Sequence, residues 1–454
     1  MNAMKFFKAG VCACAALVMF AAESAVEVGQ VIVRQQWPWS TAVMVEYQLN
    51  GRTTPVNLSL RAFDGATEFD AAKLKAATTG DLYGVNQSVG TLFIDPVKAF
   101  GTEKVAIDNL KIRLTVEEAD PSIVEPLYKV FDIEATDATK ACTDISAADL
   151  LNGKYGSYET SYKKVCPSPQ LAQDDCIIWT AVTNVEYKTT KIVMRRIKAG
   201  GKTFTMGSPV GECQRSPDEV QHQVSFRNDY YIGVFPFTVC QGKWFYGSIP
   251  IKTVDGVITG CNKDCVPAQG VYFADIRGSN AFDPSSETRH DVTDSSVLGK
   301  LRNKFKVDFE LPTEAQWEFA ARGGSTTGLY NGRDMTSENG GGGIHEIAWY
   351  GAISKQDGKY CLHEVGMQLP NAFGLYDMLG GTSDYCLDWY GAYPTDPVTD
   401  YEGPAKGDST THVFRGGSII FMPGACRCAS RNNKGWGASN RWGFRLMLPA
   451  SLKF

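Results

Sequence analysis

The feature that most constrains this chain is a break in its patterning near residue 189. Before it, apolar and polar residues alternate with period two. In "VNLSLRAF", Val56, Leu58 and Leu60 take one face, and Asn57, Ser59 and Arg61 the other. "LKIRLTV" repeats this with Leu110, Ile112, Leu114 and Val116. That period is the signature of half-buried strands. "STAVMVEYQL" and "GTLFIDP" add two more strands, "LNGRTTP" is a turn, and only "DAAKLKAA" reads as helix. After the break the period vanishes, elements shorten, and glycines and tryptophans multiply. One core cannot serve both textures, and 454 residues are enough for two or three domains.

Residues 26–118 are therefore expected to form a β-sandwich of immunoglobulin size, a spacer or adhesion module without chemistry of its own. "VEEADPSIVEP" reads as a linker, and 119–188 as a linker and extended arm holding Cys142, Cys166 and Cys176. Residues 189–454 form the second domain. A net charge of -5 with no run of Lys or Arg excludes generic nucleic-acid binding, whose energy comes from clustered cations. Lys5 and Lys8 precede the apolar run "AGVCACAALVMFAA", which reads as a signal peptide spanning 1–25. No later run is long enough to span a membrane. The expectation is an exported chain, secreted, periplasmic or at the cell surface.

Export permits disulfides. Removing Cys12 and Cys14 with the signal peptide takes the 13 cysteines to an odd number, which leaves a free thiol or an intermolecular bond. "CNKDC", Cys261 to Cys265, can close a tight loop or supply half of a metal site. Disulfides or buried thiols are the expectation for most.

One helix is strongly specified beyond the break. In "LPTEAQWEFAARGG", Thr313 is an N-cap and Gln316 completes a capping box. Gly323 and Gly324 stop the helix, and Trp317 and Ala321 share a face.

That helix stands among "FTMGSP", "YYIGVFPFTVCQGKW", "PNAFGLYDMLGG", "DWY", "FRGGS" and "WGFRLM". In this order, over residues of about 190–450, the set resembles the formylglycine-generating enzyme, or sulfatase-modifying factor, family. The resemblance implies an α+β chain whose second domain is loop-rich, mixed α/β and C-type-lectin-like. The family holds copper oxidases that convert a peptidyl cysteine to formylglycine, iron-dependent sulfoxide synthases, and members that only bind ligands.

The resemblance also implies a calcium site in "YDMLGGTSDYCLDWY". Its ligands would be the side chains of Asp377 and Asp384 and the carbonyls of Gly380 and Thr382. Hard oxygen donors of this kind suit calcium. "GGTSDY" departs from the family by lacking its first tryptophan.

In the oxidases two cysteines hold copper, a pairing that suits Cu(I). The first stands three residues after the Ser of "GGS" and the second five further on. Counted from Ser418, these positions are Phe421 and Cys426. Counted back five from Cys428 in "RCASR", the second is Pro423. Ser418 and Cys426 are thus the catalytic candidates of an incomplete pair, and Cys428 is a structural cysteine. On a strand Cys426 and Cys428 would share a face, where two buried thiols are expected.

Downstream, "ASRNNKGWGASNRWGFR" has the composition of binding loops. Arg431, Asn432, Asn433, Trp436, Asn440 and Arg441 are expected on the surface, facing a glycan or a protein or peptide. Phe444 and Arg445 are expected to pack. Two functions follow: a non-catalytic lectin-fold binding protein with structural calcium, or a formylglycine-generating oxidase using copper and O2.

Overall fold

The computed structural model describes residues 27–450 apart from 36–41, 51–56, 80–88, 104, 106–109, 118–125, 138–139, 161–176, 247–258, 279–291, 405–410 and 434–441. The expected signal peptide, Cys166 and Cys176 lie outside the described residues, as do Trp436, Asn440 and Arg441. The chain divides into two compact units, 1–118 and 119–454.

The first unit is built of two antiparallel sheets. One orders the strands Glu27–Gln35, Val43–Asn50, Val89–Ile94 and Thr78–Thr79, and the other Thr67–Glu68, Asn57–Asp64 and Leu110–Glu117. Alternation sorts their faces. Val43, Val45, Tyr47 and Leu49 turn inward from one sheet, Leu58, Ala62, Leu110 and Leu114 from the other, into one core. Each of these Val and Leu side chains contributes about 1.5–3 kcal/mol by leaving water. Two short helices, Ala71–Ala76 and Pro96–Phe100, accompany them. The second is capped by Asp95, whose carboxylate accepts from the Val97 and Lys98 N–H groups, and stops at Gly101 with φ 75°.

The second unit is mixed α+β with many short strands. Its largest sheet is antiparallel, in the order Met447–Pro449, Tyr230–Gly233, Lys191–Ile197, Tyr128–Asp132, Cys142–Ile145. This corrects the expectation of an extended arm over 119–188. Tyr128–Asp132 is an interior strand, and Tyr128 and Phe131 are fully buried. "YKVFD" is too short for its period to show against polar neighbours. Strand Lys191–Ile197 is buried on both faces: Ile192 and Met194 enter one core, Val193 and Ile197 two others.

A second sheet orders Arg431–Asn432, His412–Arg415, Ser383–Trp389 and Trp442–Gly443. Helix Glu314–Arg322 packs beside it. Its capping box forms: the Thr313 hydroxyl accepts from the Gln316 N–H at 3.2 Å, and the Gln316 amide oxygen from the Thr313 N–H at 2.9 Å. Gly323 ends it in the left-handed region, φ 53°. Trp317 and Ala321 are fully buried.

All nine described cysteines are free thiols. Cys261 and Cys265 therefore do not close their loop.

Candidate functional site

The turn after strand His412–Arg415 is where an oxidase would hold its cysteines. Gly416 and Gly417 take φ 90° and 73°, open to glycine at little cost. A Cβ on Gly416 would meet the Met378 carbonyl at 2.7 Å, and one on Gly417 the Cys426 sulfur at 2.6 Å. Gly417 thus lets the chain close over Cys426, and Gly416 lets it approach Met378 and Trp317. Ser418 follows, fully buried, with its hydroxyl unpartnered. Phe421 N–H donates to the Ser418 carbonyl at 3.0 Å.

Cys426 is the last residue of a 3-10 turn, Pro423–Cys426, and the following strand starts at Arg431. The two cysteines are therefore not on a strand, because Pro423 and the turn interrupt it. Both have no exposure. Burial pushes each thiol up to about 12, although the Ser418 N–H beside Cys426 and Arg322 beside Cys428 pull the other way. The thiolate is the metal ligand and the nucleophile, and burial favours the protonated form of both sulfurs. Among the described residues no three His, Cys, Asp or Glu side chains gather to hold a metal ion. With Phe421 in one position and a buried thiol in the other, the residues present do not fit copper.

The arginines around these cysteines form a buried ionic frame. Arg415 donates to Glu318 and to the Cys428 carbonyl, and its Nε lies 3.0 Å from Glu314. Arg427 grips Glu219 with two N–H groups and Glu212 with one, at 2.6–2.8 Å. Arg431 forks onto Glu314 at 2.8 and 2.7 Å and lies over the rings of Tyr390 and Tyr393. Its side chain is 1% exposed. This corrects the expectation that Arg431 is displayed: a planar fork matched to a carboxylate is the arrangement that tolerates burial. Asn432 and Asn433 are half-buried, Asn432 within a strand paired to Phe414.

Of the calcium set, Asp384 lies close enough for its charge to bear on Asp377. Asp384 Oδ2 accepts from Arg445 Nε at 2.7 Å and from Trp317 Nε1 at 2.9 Å. Arg445 also donates to the Tyr376 and Asp377 carbonyls, both at 3.1 Å. The other oxygen, Asp384 Oδ1, is buried and unpartnered. Asp377 sits in the left-handed region, φ 53°, with Oδ2 accepting from the Gly366 N–H at 2.6 Å. Burial holds its carboxyl up at about 6. One oxygen of Asp384 is thus committed to a guanidinium, and the other has no hydrogen-bond partner among the described residues. Arg445 packs as expected, and Phe444 is fully buried.

Beside this loop lies a group of which the sequence singled out only Ser418. Gly381 N–H donates to the Trp349 carbonyl, and the Gly381 carbonyl accepts from Ile419 N–H at 3.1 Å and from Gln269 Nε2 at 3.4 Å. Trp349 stacks on His363 with centroids 3.5 Å apart. The buried Trp349 Nε1, His363 Nε2, Gln269 Oε1 and Ser418 Oγ are all unpartnered. Each such atom costs about 1–3 kcal/mol unless a ligand or water meets it. No local pattern could have brought Gln269, Trp349 and His363 together with Ser418, since they come from distant segments.

Residues 182–450 match the family model of the sulfatase-modifying factor enzyme 1-like domain. A formylglycine-generating enzyme of Streptomyces coelicolor is 34% identical over 152 residues, 31% of this chain and 47% of that protein. The serine/threonine-protein kinase pkn1 of Chlamydia caviae is 33% identical over 260 residues, 54% of this chain and 36% of that protein. In both cases the match spans less than half of the relative's length. Among solved structures, Treponema denticola variable protein 1 is 24% identical with a TM-score of 0.44, covering 57% of this chain and 95% of that one. The family match, together with the glycine turn, the capped helix and the paired sheets that place them, establishes that this chain belongs to the sulfatase-modifying factor enzyme 1-like family.

Proposed function

We propose that the second unit is a non-catalytic binding domain of this family, carried on an exported chain, whose partner is a glycan or a protein or peptide. The observation that carries this reading is the state of the cysteine pair. Phe421 occupies the first position, and Cys426, the candidate for the second, is sealed beneath Gly417 with its thiol held protonated. The alternative, a copper- and O2-dependent formylglycine-generating oxidase, would need a cysteine that the turn does not supply. Incubation of the full chain with copper, oxygen and a Cys-x-Pro-x-Arg peptide tests this by mass spectrometry. The peptide cysteine stays unchanged in this reading, and its conversion to formylglycine would reject it.

Calcium has a structural role in the same reading. Asp377 and Asp384 Oδ1 would hold it with the carbonyls of Gly380 and Thr382, neutralising the Asp377 carboxylate that burial otherwise disfavours. A ligand that binds only the folded state raises its melting temperature. Calcium should therefore raise the Tm, by about 2.7 kcal/mol of stability at a hundredfold excess over Kd, and Asp377→Asn should abolish the rise. No rise in the wild-type chain contradicts the assignment.

A further inference from the structure

The geometry points to a saccharide-binding cleft, separate from the Gly-Gly-Ser turn, between strand Thr203–Met206 and the C-terminal end of helix Glu314–Arg322. The cleft has a volume of about 530 Å³, within the range of small-molecule sites. Its apolar wall is aromatic. Phe204 and Phe319 are half-buried and meet edge to face with centroids 5.3 Å apart, and Phe373 packs behind Phe319 at 6.3 Å. Its rim is Thr203, Thr205, Gln221, Gln223, Ser325 and Thr326, all hydroxyls and amides.

The charge around this cleft decides the ligand class. No carboxylate lines it. Arg322 does, but its fork is spent on Glu318, the Thr327 carbonyl and the Gly207 carbonyl at 2.7–3.1 Å. Lys202 already engages another group. A ligand held here must therefore offer an apolar face to phenylalanine and neutral hydrogen-bonding groups to the rim. A sugar ring does both, with C–H groups on its faces and hydroxyls around its edge. Gln223 donates one N–H to Thr205 Oγ1 at 2.8 Å, which orients its amide and leaves the amide oxygen to accept from a ligand hydroxyl. An extended peptide is the less suited occupant. Strand Thr203–Met206 is an edge strand but only 4 residues long, a short ladder for strand addition.

This inference deepens the binding reading and rests on it. The test uses the full chain with a panel of cello-, malto-, chito- and manno-hexaose, followed by saturation-transfer NMR. At least one hexaose binds with Kd below about 5 mM. Gln223→Ala weakens it about fivefold and Phe204→Leu about tenfold. Gln223 is exposed, so the first variant remains decisive if the second fails to fold. No binding by any hexaose overturns the saccharide assignment. So does binding that Gln223→Ala leaves unchanged, although the domain's binding role would stand. Capture of an apolar peptide that Gln223→Ala weakens would reassign the cleft to peptide. Conversion of the cysteine peptide, by contrast, would overturn the non-catalytic reading while leaving the cleft result in place.

Discussion

Arg431 shows how far a residue's role depends on partners that the local sequence does not reveal. It stands in a stretch whose composition reads as a binding loop, yet its guanidinium is buried against Glu314, 117 residues away in the chain. Arg431→Ala leaves that carboxylate short of a partner in a dry site. Removing one member of a buried pair costs about 3–5 kcal/mol, and Arg415 beside Glu314 softens the loss toward about 3. Arg431→Lys keeps the charge but not the fork, and should cost about half as much. Urea midpoints measure both, and equal midpoints for Arg431→Ala and wild type would contradict the pairing. His363 gives a second residue-scale prediction. Burial lowers its imidazole to about 4 from the usual 6.5, so the fold favours the neutral ring. The resulting stability is complete above about pH 6.5 and is lost as pH falls toward 4. His363→Phe keeps the stack on Trp349 without the titration. Between pH 7 and pH 4.5 wild type should lose about 1 kcal/mol more than the variant. Equal losses would contradict the argument.

At the scale of elements, the signals that survive are those written within a few residues. The capping box of helix Glu314–Arg322 and its glycine stop were legible because Thr313, Gln316 and Gly323 act on adjacent backbone. Thr313→Ala should cost about 1 kcal/mol, read from thermal or urea unfolding, and a neutral result would mean that the cap is satisfied elsewhere. The inward charges of the same helix were not legible. Glu314 and Glu318 look like the solvated face of an amphipathic helix; Arg415 and Arg431 from two distant strands, with Arg322 one turn along the same helix, make them core. The glycines of "YDMLGGTSDYCLDWY" were legible, but that Asp384 lies on strand Ser383–Trp389 was not. That Arg445 takes half of Asp384 depends on the strand Met447–Pro449 pairing with Tyr230–Gly233, a long-range event. The stretch 423–428 misled in another way: two cysteines two apart suggest a strand face, but Pro423 starts a 3-10 turn.

At the scale of the molecule, the break near residue 189 marked a change in texture but not the boundary of a folding unit. The sheet of the second unit takes its interior strand from Tyr128–Asp132, and the first unit keeps a core of its own. A chain of residues 119–454 should therefore fold with a cooperative transition. A chain of 189–454 lacks two adjacent strands, exposes Ile192 and Val193, and should aggregate or remain molten. Heteronuclear NMR dispersion and thermal unfolding distinguish the two, and a well-folded 189–454 chain would refute the account of this sheet.

In the binding reading the cysteines at the glycine turn are structural. Competition of the native chain against a chromophoric Cu(I) chelator tests it most directly. The structure predicts that the native chain takes up no stoichiometric Cu(I) at this turn, so that Cys426→Ser leaves the titration unchanged. Uptake of one Cu(I) per chain that disappears in Cys426→Ser would contradict it and return the chain to the oxidases.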